Sequence, residues 1–102
     1  MSTPQIVVQS LIPHQEQALD VLRAYGVQQA YLFGSAARGE LTESSDIDLL
    51  ITMPTGRGLS AFRRVALKLE LERVIGRPVD VLDHLNPVFE PYIRADMVEL
   101  PL

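Results

Sequence analysis

Apolar positions along the chain switch between two periods, and the switches predict the order of elements. Ile6-Val7-Val8 is a short apolar run open to two readings, an edge strand or a helix lead-in. After it Ala18, Leu19, Leu22 and Tyr25 recur at helical spacing. They predict a helix with Pro13 in its first turn, Ser10 as its cap and Gly26 as its stop. Val27 to Phe33 then reads as a strand, Ala36-Ala37-Arg38 as a short helical turn, and Glu40 to Ser45 as a polar turn. Ile47 to Met53 predicts a second strand whose Ile47, Leu49 and Ile51 face the helices. Pro54 to Gly58 is a loop with two glycines.

Ser60 is placed to cap a long helix ending near Ile75. Phe62, Val65, Ala66 and Leu69 form one apolar face, and Leu67, Leu71, Val74 and Ile75 widen it. So broad a surface predicts heavy burial, partly against another chain. Gly76 and Pro78 end the helix, and Val79 to Asp83 predicts a third strand. Asn86-Pro87 opens a last helix that Pro91 must break or begin, with Phe89, Tyr92, Ile93 and Met97 as its apolar contacts. The tail from Met97 to Leu102 adds a short strand. The order is α-β-(α)-β-α-β-α, which by itself allows a parallel sheet.

Composition narrows the class. A chain of 102 residues is expected to form one domain, residues 1–102, with a modest core. Its 47% apolar and 22% charged residues are those of an ordinary globular protein, and no apolar run approaches the length of a membrane span. The first residues, MSTPQIVVQSLIPHQEQ, lack the basic and apolar regions of a secretory signal, so a cytoplasmic location is expected. Cysteine is absent, which excludes disulfides and thiolate metal sites. The net charge of −4, without a basic block, argues against gripping nucleic acid through its phosphates. A single nucleotide is still admissible, because cations can neutralise it.

The chemistry lies between Tyr31 and Met53. Asp46 and Asp48 flank Ile47 and so project from one side of the second strand. Aspartate is depleted from strands and costly to bury unpaired, so two beside Ile47, Leu49, Leu50 and Ile51 call for a metal or cationic partner. Gly34, at the end of the first strand, lets a phosphate approach the backbone. Ser35 adds a hydroxyl and an amide where a helix is expected to begin. Arg38, three residues on, is within reach of the same phosphate. A Gly-Ser pair alone is an ordinary turn, and Asp-x-Asp alone an ordinary strand start. Together they read as a site for a nucleoside triphosphate and metal. Asp83 is odd relative to Asp80 and points away from it; His14, Glu43 and Arg57 read as solvated, and His84 is given no role.

Gly34-Ser35, ten intervening residues and Asp46-Ile47-Asp48 resemble the signature of the DNA polymerase beta-like nucleotidyltransferase superfamily. LFGSAARGE followed by SSDIDLLI is similar to its small prokaryotic branch, the minimal nucleotidyltransferase (MNT) domain proteins. The resemblance implies an α/β (α+β) fold: a small mixed sheet backed by helices, like a polymerase palm. It implies that Asp80, in VDVLD, is a third carboxylate. Asp46, Asp48 and Asp80 would then be both catalytic residues and ligands of two Mg²⁺ ions. Gly34, Ser35 and Arg38 would hold the departing pyrophosphate. Relatives that modify antibiotics carry an extra domain for the acceptor, and the roughly twenty residues after the third strand are too few for one. The resemblance therefore implies an antitoxin that moves AMP from ATP to a tyrosine of a HEPN ribonuclease toxin, in a hetero-oligomer with it. Two alternatives stay open: an antitoxin that masks the toxin sterically, and an enzyme acting on a small molecule with a separate helical subunit.

Overall fold

Helix α1 (Gln15–Ala24) begins later than its proline suggests, because residue 14 cannot join it. In this computed structural model, which describes residues 11–40, 42, 45–54, 59–84, 87–88 and 90–102, His14 is left-handed at φ +53°. Pro13 therefore precedes the helix cap instead of lying in the first turn. The Leu11 N–H donates to Gln15 Oε1 at 2.9 Å, so the buried Gln15 side chain closes the preceding turn. The Ile6–Val8 run and the proposed Ser10 cap lie outside the described residues. At the other end Gly26 (φ +78°) turns the chain: its N–H bonds to Arg23 O and that of Val27 to Leu22 O. This glycine-terminated stop reverses the chain into the first strand.

Strand β1 (Gln29–Phe33) pairs antiparallel with β2 (Ile47–Thr52). Strand β3 (Val79–Leu82) pairs parallel with β2, and β4 (Val98–Glu99) pairs antiparallel with β1. The order β3-β2-β1-β4 makes a mixed sheet, as the resemblance implies. Between the parallel pair runs α2 (Ala61–Ile75), the long crossover such a pair requires. Ser60 Oγ accepts from Arg63 N–H at 3.3 Å at its start, and left-handed Gly76 ends it.

The core lies on one face of the sheet. Ile47, Leu49 and Ile51 of β2, with Leu32, Val79 and Val81 beside them, pack against Ala18, Leu19 and Leu22 of α1 and Leu67, Leu71 and Ile75 of α2. The expected heavy burial of α2 is met only by this second stripe. Phe62 is 91% exposed and Leu69 58% exposed, with Val65 and Ala66 also on the surface. Positions 67, 71 and 75 recur every four residues on one side, and 62, 65 and 69 lie on the other. A helix resting on one sheet face can bury only one of them.

A short helix, α3 (Glu90–Asp96), has Pro91 in its first turn, where proline is tolerated, and leads into β4. Asn86 and Phe89 lie outside the described residues. No helix among those described is long and apolar enough to cross a membrane.

Candidate active site

Period-two alternation places Asp48 on the sheet face opposite Ile47 and Leu49, away from α1 and α2. Its neighbours are set by register. Phe33, the last residue of β1, lies opposite Asp48 on one side, and Asp80 of β3 on the other. Asp46 stands just before β2 and is exposed, as is Asp80; Asp48, between them, is half-buried. Burial first, then the charge of Asp80, then that of Asp46, pushes the Asp48 carboxyl above the ordinary carboxylate range. The three predicted carboxylates thus share one field.

Gly34 completes this arrangement from the β1 side. It is left-handed at φ +72°, and a Cβ built on it would lie 2.7 Å from Asp48 Oδ2. The bare backbone at residue 34 is what leaves room for the carboxylate. From Gly34 to Gly39 the chain forms successive turns: Arg38 N–H to Gly34 O, Gly39 N–H to Ala36 O, and Glu40 N–H to Ser35 O at 2.8 Å. The short helical turn at 36–38 is present, but the helix expected to begin at Ser35 is not. Gly39 (φ +70°) turns the chain before a second helical turn can form. Any phosphate affinity here comes from individual donors, not from a helix dipole. Ala36 is buried and ties the loop to the core.

Arg38 is exposed and already engaged. Its Nε donates to Glu40 Oε2 at 3.2 Å and its Nη1 to Asp96 Oδ2 at 3.4 Å, and these carboxylates raise its pKa further. Asp83 points away from Asp80, as its parity predicts, and takes Arg64 of α2 at 3.3 Å. Its carboxylate also meets His84 Nδ1 at 2.8 Å. His14 is exposed, and Glu43 and Arg57 lie outside the described residues.

The donor set fits a hard divalent cation. Among the described residues no Lys, Arg or His lies within ion-pair reach of Asp46, Asp48 or Asp80. Nor, among them, do three or more His, Cys, Asp or Glu side chains form a ready metal cage. A magnesium ion would need only one or two of these carboxylates, together with substrate phosphates and water. Sequence reasoning missed one pair beside the site, Lys68 and Glu72. Their i,i+4 spacing is visible, but not that both reach the backbone of Val79, next to Asp80.

A family model for the nucleotidyltransferase domain matches residues 15–99. A Methanocaldococcus jannaschii protein provisionally named a protein adenylyltransferase is 39% identical over 88 residues, which span 84% of this chain and 92% of that protein. A solved structure, provisionally assigned as a minimal nucleotidyltransferase, superposes with a TM-score of 0.69 at 32% identity, covering 86% of this chain and 88% of its own. A chain in the structure of a tri-AMPylated Shewanella oneidensis HEPN toxin in complex with an MNT antitoxin superposes with a TM-score of 0.65. It is 20% identical and covers 84% of this chain and 67% of that one, a likeness of fold alone.

Proposed function

The chain belongs to the nucleotidyltransferase domain family, and from that premise we propose that it transfers AMP from ATP to a tyrosine hydroxyl of a HEPN ribonuclease toxin, as that toxin's antitoxin. One observation carries the catalytic part: Asp48 is held between Asp80 and Gly34, and its carboxyl is raised by burial first and then by the charges of Asp80 and Asp46, with no Lys, Arg or His among the described residues paired to any of the three. The acceptor is supported by the adenylyltransferase name of the Methanocaldococcus relative and by the toxin complex that shares the fold.

Two Mg²⁺ ions bound at these carboxylates would offset their repulsion, polarise the phosphoryl oxygens and ease ionisation of the attacking hydroxyl. Asp46 and Asp48 would hold those ions beside the triphosphate. Asp80, on the exposed edge strand, stands where an acceptor can approach and takes the tyrosine proton. The tyrosine oxygen bonds to the α-phosphorus, the bond from that phosphorus to the bridging oxygen breaks, and pyrophosphate leaves. Gly34 leaves room for the phosphates, and Ser35 donates to them. Arg38 joins once it lets go of Glu40 and Asp96. The complex with the toxin is a hetero-oligomer formed in the cytoplasm.

The test is direct. Incubating the protein with its toxin, ATP and Mg²⁺ adds mass increments of AMP to the toxin, and peptide mapping places them on a tyrosine. The variant Asp46→Asn/Asp48→Asn binds the toxin but leaves its mass and ribonuclease activity unchanged. Neutralisation by that variant equal to wild type would establish steric masking instead.

A further inference from the structure

We infer that Glu72 and Lys68 are positioning residues that fix the height of Asp80 beside Asp48 by gripping the outer edge of β3. This rests on the reading of Asp80 as the third carboxylate. Strand β3 has four residues and, among the described residues, a single neighbour, β2, so half of its backbone groups face away from that sheet. Pro78 O accepts from Ile47 N–H at 2.9 Å, so the carbonyl of residue 78 points towards β2. In a parallel ladder the direction alternates, which turns both backbone groups of Val79 outward.

Both are taken by one pair of side chains. Val79 N–H donates to Glu72 Oε2 at 2.9 Å, and Lys68 Nζ donates to Val79 O at 3.0 Å. Lys68 Nζ also donates to Glu72 Oε2 at 2.8 Å, which closes the ring. The pair stands on the part of α2 that Leu67, Leu71 and Ile75 lock to the core, so it is anchored to a rigid element. The Val79 side chain is buried from the helix side.

Such a grip has something to resist. Asp48 and Asp80 face each other across two strands, and like charges directly opposite push the strands apart. A four-residue edge strand opposes that weakly by itself. Holding residue 79 at both backbone groups keeps residue 80 in register before any cation arrives.

Amide hydrogen exchange by NMR and a Mg²⁺ titration in the presence of ATP, followed by chemical shift, test this below the melting temperature. Glu72→Ala speeds exchange at Asp80 and Leu82 relative to β1, and raises the Mg²⁺ concentration for half-response about tenfold, the scale of losing a partner that orients a ligand. Glu72→Gln keeps an oxygen for Val79 N–H and recovers most of both. Lys68→Met, which keeps the aliphatic stem, gives a smaller change of the same kind. Glu70→Gln, on the exposed pair with Arg73, changes neither. Should Glu72→Ala lower stability while the Mg²⁺ response stays at the wild-type value, the pair is only a helix–strand tie and the inference fails. A wild-type protein without any Mg²⁺ response would overturn the catalytic reading. The inference is then decided by exchange alone, with acceleration confined to β3 supporting it and uniform acceleration overturning it.

Discussion

Gly34 and Asp48 meet through the space that a side chain on residue 34 would occupy: a Cβ there would lie 2.7 Å from Asp48 Oδ2 and 3.7 Å from its Cγ. Gly34→Ala therefore does two things. It places a non-glycine residue at φ +72°, which costs about 1–3 kcal/mol. It also forces the Asp48 carboxylate to rotate away from the position it shares with Asp80. Urea unfolding should show the first effect. Loss of the stabilisation by Mg²⁺ and ATP should show the second, since a ligand that binds only the native state raises the melting temperature. A variant destabilised but still fully responsive would mean that Asp48 has another workable rotamer.

The raised carboxyl of Asp48 gives a pH dependence with a definite sign. Its folded pKa lies above the unfolded one, so the folded state holds the proton more tightly. Stability contributed by Asp48 is therefore lost as pH rises from the ordinary carboxylate value through the raised one. Without metal at neutral pH, Asp48→Asn should be more stable than wild type, and the difference should vanish in acid. With Mg²⁺ and ATP the ranking should reverse. Melting curves across pH, with and without ligand, check both halves.

How much of this was legible depended on the range of each interaction. The placing of Asp48 opposite Ile47 and Leu49 was readable because strand alternation is a local fact, whereas the cost of burial bears on Asp48 alone, since Asp46 stands before β2 and is exposed. Asp83 was readable from parity alone, and its contact with Arg64 agrees. The facing of Asp48 and Asp80 was not, since register between strands separated by a helix is a tertiary property. Residues 34–46 join β1 to β2, a length compatible with either a loose hairpin or a crossover, so spacing could not choose between mixed and parallel sheets. The turn at Ser35 misled because it begins as a helix would and is stopped by Gly39 within one turn.

Ser35 should matter to catalysis without mattering to the fold. Its backbone carbonyl closes the loop by accepting from Glu40 N–H, a role any residue can fill. Ser35→Ala removes only the hydroxyl. Its loss of a hydrogen bond to a charged phosphate should raise the barrier by roughly 1.5–3 kcal/mol. Transfer kinetics would show this in kcat/KM with an unchanged melting temperature. Unaltered kinetics would reduce the Gly34–Ser35 loop to a turn.

Glu72 supplies the opposite sign to Asp48. Its hydrogen bond from Lys68, followed by that from Val79 N–H, holds its carboxyl below the ordinary range. The associated stability is present above the unfolded pKa and is lost as pH falls through the depressed one. Glu72→Gln should thus be less stable than wild type at neutral pH, with the gap closing in acid. A gap of constant size from neutral to acid pH would show that charge at Glu72 contributes nothing.

Two leucines on α2, two positions apart, test which side of the helix carries the fold. Leu67 is fully buried among the core residues, whereas Leu69 is 58% exposed beside Phe62 and Val65. Both lie in the helix interior, so replacing either with alanine changes intrinsic helix propensity equally, and that contribution cancels in the comparison. Leu67→Ala removes buried methyl groups and leaves a cavity between α2 and the sheet, which should cost about 2–5 kcal/mol. Leu69→Ala removes surface that water already reaches and should stay within about 0.5 kcal/mol of wild type. Denaturant midpoints at equal slope would measure the difference. Comparable losses at both positions would mean that the outer face of α2 is covered in solution. The stripe of Phe62, Val65 and Leu69 would then be bearing load in the free protein.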